Sequence, residues 1–325
     1  MRWFICIIFI SLVPLTVYAQ SASEDAADRP PSPELPDDPL STKAKEAYGA
    51  GQYNEASRKL FVLAQKYPEN PAVYRSMARA NSWAGDVGKA IVAYRYYIEL
   101  APDASDLEKV KAELALCLRR LGAKAPSKEL PAAIQAAFSE VDVRSKAGKF
   151  TGKLGAFGAL ADIRKAGHIS PGVAQARRSI RSALVEHSES ALDRWWVTGS
   201  QAEVNTLTEL AAGWEKAADI KALNGKDKQW AAAVDGLAHL ASNEPARAAE
   251  LLGPVAPGDK KLRYAQVVAL VRIGRHKEAK VILDALVRGH ADARVHLLHG
   301  FVLRKMKDEA AVESFMMALD NEDEL

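Results

Sequence analysis

Three residue types return at one spacing in the first third of the chain. Gly51-Gln-Tyr-Asn-Glu-Ala56 is followed by Pro68, and Gly85-Asp-Val-Gly-Lys-Ala90 by Pro102, so Gly, Ala and Pro each recur 34 residues apart. The positions between them keep the same register, with Ala44 mapping onto Ala78, Leu60 onto Tyr94 and Leu63 onto Tyr97. A period of that length holds two short helices and their turns, a unit too small to bury its own apolar face, so copies must stack. Each repeated residue has a physical role. Ala44, Ala56, Ala78 and Ala90 are small where two helices cross closely, Gly51 and Gly85 can take the left-handed backbone that ends a helix, and Pro68 and Pro102 stop the second helix of each pair.

This pattern resembles the tetratricopeptide repeat family, in which small residues stand at repeat positions 8 and 20, Gly near 15, an aromatic near 24 and Pro at 32. The first copy is about residues 37–70 and the second 71–104. Asp106 to Gly122 supplies another first helix, with Asp106 as N-cap, apolar Leu107, Val110, Leu114, Leu118 and Leu121, and Gly122 as its stop. Gly274-Arg-His-Lys-Glu-Ala279 with Leu283 and Leu286, and then Gly300, Ala311, Phe315 and Ala318, return to the motif near the end. The resemblance implies an all-α fold, an α-solenoid of antiparallel helix pairs forming a superhelix. It is close over 41–122, loose over 228–325 and faint over 123–227, where the helices are expected to diverge.

The chain ahead of the helices reads differently. Trp3 to Val17 is the one long apolar run, preceded by Arg2 and followed by Val17-Tyr18-Ala19, which makes residues 1–19 an expected signal peptide. Its 15 residues would span roughly 22 Å as a helix, short of a bilayer core of roughly 30 Å. Residues 20–40 carry five prolines and six acidic residues against Arg29, an expected extended linker. An exported protein follows, in the periplasm by preference, with secretion, a signal anchor or the lumen of the endoplasmic reticulum as alternatives. The last of these rests on the terminal Glu322-Asp-Glu-Leu325, which is close to a retrieval signal. The lone mature cysteine, Cys117, falls on an apolar helix stripe and is expected to be a buried thiol.

Function is read from the resemblance and from charge. In this family the first helix of each pair faces the ligand through repeat positions 2, 5, 9, 12 and 13. Carried over, these include Lys45, Tyr48, Arg75, Arg79, Ser82 and Trp83, with Arg119 and Arg120 expected to extend the stripe. Arg75, Arg79 and Trp83 are four apart and share a helix face, which suits a protein or peptide partner with acidic character. The leading reading is a non-enzymatic scaffold or adaptor that binds a partner on its concave face.

A second reading comes from residues 143–181, where nine Lys or Arg stand against Asp162, a local +8 inside a chain whose net charge is +3. Lys149, Lys153, Arg177, Arg178 and Arg181 would there meet an anionic polymer or membrane of the envelope. Nucleic acid is not an expected partner of an exported chain. A third reading, an enzyme with a site assembled by the solenoid, has no catalytic motif behind it. Gly148-Lys-Phe-Thr-Gly-Lys-Leu-Gly155 fails the phosphate-loop pattern and reads as a flexible turn, while His296 and His299 read as packed between helices rather than as metal ligands. No catalytic residue, cofactor or metal is expected.

Overall fold

A computed structural model describes residues 33–127, 129–198, 204–289 and 292–321. The apolar run, the cut after Ala19, residues 20–32 of the linker, His290 and residues 322–325 lie outside the described residues. The protein is all-α, and the described residues form fifteen α-helices with short turns between them. The chain folds as two compact units: residues up to Leu130 with Ile169–Ala174, and Pro131–His168 with Gln175–Leu325.

The first unit contains α1 (Pro39–Gly49), α2 (Tyr53–Lys66), α3 (Pro71–Trp83), α4 (Val87–Leu100) and α5 (Leu107–Leu121). Each packs on the next in chain order, α1 on α2 through to α4 on α5, which is the nearest-neighbour packing of a solenoid. The repeated positions behave as their spacing requires. Ala44, Ala56, Ala78 and Ala90 are all at most 1% exposed, and Leu60, Leu63, Tyr94 and Tyr97 at most 2%. Gly51 and Gly85 take φ +74° and +90° with open space around an added Cβ, so glycine is needed there for its backbone and not for room.

The helices start where short polar side chains meet proline. Asn70 accepts from Val73 N ahead of Pro71, and Asp38 accepts from Leu40 N ahead of Pro39. Asp106 occupies the N-cap of α5 without capping it, because its carboxylate is taken by the Tyr97 hydroxyl and by Arg75. The expected free linker ends early: Leu35 packs against the core of this unit, Asn70 Nδ2 donates to Glu34 O at 3.1 Å and Ser41 Oγ donates to Pro36 O at 2.7 Å. Asp38, only 6% exposed, accepts from Lys66 Nζ at 2.6 Å and Tyr67 Oη at 3.0 Å. Residues 33–38 therefore form a strap on the first repeat, since a buried carboxylate needs those partners and finds them on α2 and in the turn after it.

The second unit begins with α6 (Ala132–Lys146), α7 (Ala156–Lys165), the long α8 (Pro171–Thr198), which it holds from Gln175 onward, and α9 (Val204–Ile220). At 28 residues α8 alone nearly fills a repeat period, which is why the motif fades here. The glycine-rich stretch read as a flexible turn is pinned instead. Glu209 of α9 accepts from Phe150 N at 2.8 Å, Thr151 N at 2.6 Å and Thr151 Oγ1 at 2.6 Å, and Phe150 is fully buried. Regular pairs return with α10 (Gly225–Ala241), α11 (Pro245–Leu252), α12 (Lys260–Arg272), α13 (His276–Gly289), α14 (Ala293–Lys305) and α15 (Ala311–Asp320). They pack in succession, and α10 also touches α12. Gly274 takes φ +78° at the turn before α13, and Gly300 lets α14 approach the Phe315 ring, which an added Cβ would meet at 2.8 Å.

Candidate functional groove

The first helices of the two N-terminal pairs, α1 and α3, and α5, which follows them in the same register, carry the residues that the repeat pattern assigns to a ligand. A groove of about 570 Å³ opens there, lined by Lys45, Tyr48, Arg75, Ser76 and Arg79 and closed on one side by Pro33, Glu34 and Leu35 of the strap. The 34-residue register explains the ladder across it: position 9 of successive copies holds Lys45, Arg79 and Glu113.

Neighbouring rungs pair. Arg79 forms a fork with Glu113, Nη2 to Oε1 at 2.7 Å and Nε to Oε2 at 3.2 Å. Burial would raise the Glu113 carboxyl, but the Arg79 fork and the Tyr94 hydroxyl hold it below the usual carboxylate range. The same fork holds the Arg79 guanidinium above its ordinary value. Arg75 makes an ion pair with Asp106 and lies 5.9 Å from the Tyr97 ring centre. Burial first, and then the bond to Asp106, push the Tyr97 hydroxyl far up, so it stays a donor throughout the physiological range. Ser82 Oγ and Cys117 Sγ, 3.7 Å apart, complete the row, and Cys117 is buried.

The arginines expected to present open positive charge to a partner are thus matched within the chain. Lys45 differs, being exposed and in no ion pair with a described residue. Arg119 and Arg120 are exposed on the last turn of α5. Arg119 is two residues past Cys117 and so about 200° round the helix from it, whereas Arg120 is seven residues past Glu113 and falls on the same side of α5 as that rung.

Beyond the charges lies an aromatic ledge. Trp83 is 67% exposed yet stacked on Tyr53 at 5.9 Å and 25°, and Tyr53 meets Tyr48 edge-on at 5.2 Å. Burial holds the Tyr48 hydroxyl above its ordinary value. Sequence reasoning named Tyr48 and Trp83 and missed Tyr53, which opens the second helix of its pair and reaches the ledge only because the turn at Gly51 folds it back.

The basic segment of the second unit is partly neutralised in cis. Arg144 pairs with Glu140 at 2.8 Å, Lys146 with Asp142 at 2.8 Å, Lys165 with Asp162 at 3.5 Å and Arg181 with Asp227 at 2.6 Å. Lys149, Lys153 and Arg178 keep more of their surface in solvent than Arg177, which is half-buried. His296 and His299 are buried between helices, as their repeat positions suggest. His299 bonds Asp284 Oδ1 at 2.9 Å and Ser314 Oγ at 3.0 Å. Among the described residues no group of three His, Cys, Asp or Glu is arranged to hold a metal ion. Trp195 is core, and Trp196 lies under Arg294 at 4.6 Å from its ring centre.

Residues 239–300 match the tetratricopeptide repeat family model. The match runs from the end of α10 to the middle of α14, the stretch in which Gly274 and Ala279 restore the motif. A solved structure, the assembly chaperone of RpL4 (Acl4), residues 1–338, is 14% identical, with 83% of this chain and 96% of that chain covered at a TM-score of 0.29. No curated protein matches the sequence. The chain is tetratricopeptide-like in its helix pairs, and among the described residues no helix is long and apolar enough to cross a membrane.

Proposed function

We propose that this protein is a non-enzymatic scaffold that holds an extended segment of a partner protein in the groove of α1 and α3, with the Tyr48–Tyr53–Trp83 ledge as its apolar anchor. The observation that carries the reading is Trp83, a large ring left 67% exposed beside a groove of about 570 Å³. Exposed aromatics next to a concavity are the usual energetic centres of protein interfaces. The tetratricopeptide-like construction of the chain supports it, because stacked helix pairs offer a concave wall of first helices.

The internal pairing of Arg75 and Arg79 shapes the chemistry. A partner gains little from charge attraction to these arginines, since their acids are already in place, and gains from stacking on the ledge and from bonds between its backbone and polar groups in the groove. Lys45 offers a cation for one carboxylate. The expected export, motivated by the apolar run of residues 3–17, places this work in the cell envelope; fractionation of cells for the intact and the shortened chain tests that part separately.

Site-specific photo-crosslinking tests the groove. A photoreactive residue at position 48 or 83 is expected to capture the same protein in living cells, while one at Lys59, on α2 away from the groove lining, captures it poorly. Equal capture from all three positions would remove the groove from the argument.

A further inference from the structure

The polar side chains that α1 and α3 bring to the groove are donors. Arg75 and Arg79 are already matched by Asp106 and Glu113, which leaves a ligand with Lys45, Tyr48 and Ser76. Lys45 and Ser76 make no ion pair or hydrogen bond with a described residue. The Tyr48 hydroxyl keeps its proton, since burial holds it above its ordinary value, and the indole N–H of Trp83 beside it can only donate. Acceptors are scarce by comparison. Glu113 is taken by the Arg79 fork and Asp106 by Arg75 and Tyr97, so Glu34 on the strap is the carboxylate that the lining leaves open.

The strap shows what kind of chain the first repeat accepts. Pro33 and Pro36 stand three apart, one turn of a polyproline II helix, in a segment that is neither helix nor strand. Two side chains of the unit hold its backbone, and both act as donors: Asn70 Nδ2 to the Glu34 carbonyl and Ser41 Oγ to the Pro36 carbonyl. Pro33 itself reaches the groove lining. At Tyr48 the groove meets the aromatic ledge, where Tyr53 stands at 71° to Tyr48 and 25° to Trp83 while Trp83 stays 67% exposed. Aromatic faces set at an angle, with donors beside them, are the means by which grooves hold proline-rich segments.

We infer that the segment held in this groove is proline-rich and in the polyproline II conformation, with its rings on the Tyr48–Tyr53–Trp83 ledge and its carbonyls accepting from Lys45, Tyr48 and Ser76. This names the partner chemistry of the groove proposed above and rests on that reading. The reason is the mismatch that other backbones meet. An ordinary extended segment brings an N–H at every residue to a wall with few acceptors, and each buried N–H is then left unpaired. A helix satisfies its own backbone and leaves the donors of the groove unused. A proline-rich chain offers carbonyls and almost no N–H groups, and its conformation is set before it binds, so little freedom is lost.

Fluorescence anisotropy of the full chain with fluorescein-labelled decaproline, against a labelled glycine–serine peptide of equal length, tests the chemistry. Decaproline is expected to bind about tenfold more tightly. Trp83→Ala removes a ring that is mostly in solvent, so the fold is expected to stand while decaproline affinity falls several-fold. Ser76→Ala is expected to lower it about twofold, and Lys59→Ala, outside the lining, to leave it unchanged. Equal affinity for the two peptides, or decaproline binding that Trp83→Ala does not weaken, overturns the inference. The photo-captured partner separates this inference from the reading beneath it. A crosslink from position 48 or 83 that maps to a proline-rich stretch of the partner supports both. One that maps to a stretch without proline keeps the groove as a binding site and overturns its proline preference, whereas equal capture from positions 48, 83 and 59 removes the groove and the inference with it.

Discussion

At the scale of single residues, carboxylates tie the N-terminal unit together, and they set its response to acid. Lys66, the Leu40 amide and the Tyr67 hydroxyl lower the Asp38 carboxyl against the opposing effect of burial, and Arg79 and Tyr94 lower Glu113. A carboxyl whose folded value lies below its unfolded value contributes stability above the unfolded value, and that stability is lost as pH falls through the folded one. The unit is therefore expected to lose stability progressively from about pH 4.5 downward, with the helix signal of α1 and α2 the first to soften. Asp38→Asn keeps the volume, weakens the pair with Lys66 and is expected to cost about 1–2 kcal/mol at pH 7, with a flatter acid limb in a urea titration repeated from pH 7 to 3. A cost of the same size at pH 3 and pH 7 would mean that the Asp38 charge plays no part. Gly51→Ala isolates a backbone effect, since its φ of +74° is strained for alanine while the space around it is open. It is expected to lower stability by about 1–2 kcal/mol in the same titration, without any change in the core.

At the scale of elements, what could be read from the sequence was what repeats. The small alanines, the turn glycines and the stopping prolines recur in register, so the helix pairs α1–α2 and α3–α4 and the sides they bury are legible without coordinates. The groove was half legible, because register identifies which residues line it but says nothing about what each meets across the next rung. Arg75 and Arg79 look like open charge in the sequence; their partners Asp106 and Glu113 lie 31 and 34 residues away, at the start of and within a helix whose copy of the motif is degenerate. The same limit hid Glu209, which is 58 residues from the Thr151 amide it accepts from. Glu209→Ala removes three acceptor contacts and leaves two loop amides without a side-chain partner. It is expected to cost about 2–3 kcal/mol and to speed hydrogen exchange at the amides of Phe150 and Thr151 while those of α13 and α14 keep their protection. Unchanged exchange at those two amides would mean that the turn is held by the Phe150 ring alone.

At the scale of the whole molecule, construction by nearest-neighbour stacking leaves one side of α15 uncovered by any described element. Every helix from α10 to α14 packs on the one after it, and no described element follows α15. The outward side of α15 is nonetheless apolar. Val312, Met316 and Leu319 are 66%, 60% and 66% exposed and sit four and three apart, one continuous stripe, with Phe301 of α14 41% exposed. This side of α15 has Glu313 and Asp320 beside the stripe but not within it, an exposed apolar patch of the kind that marks a contact surface. The inward side of α15 is unlike it, with Ala311, Ser314 and Ala318 buried and the Phe315 ring over Gly300. The two sides can therefore be altered independently. Met316→Glu with Leu319→Glu is expected to leave the thermal midpoint within about 2 °C, since neither side chain is buried, and to cut the fluorescence of a dye that binds exposed apolar surface. Gly300→Ala acts on the other side, forcing the Phe315 ring away from α14. It is expected to cost about 1–3 kcal/mol and to raise dye fluorescence as the last helix loosens. Opposite changes in dye signal from the two variants would establish that the apolar stripe faces solvent while α15 is held by its inner face, and parallel changes would refute it.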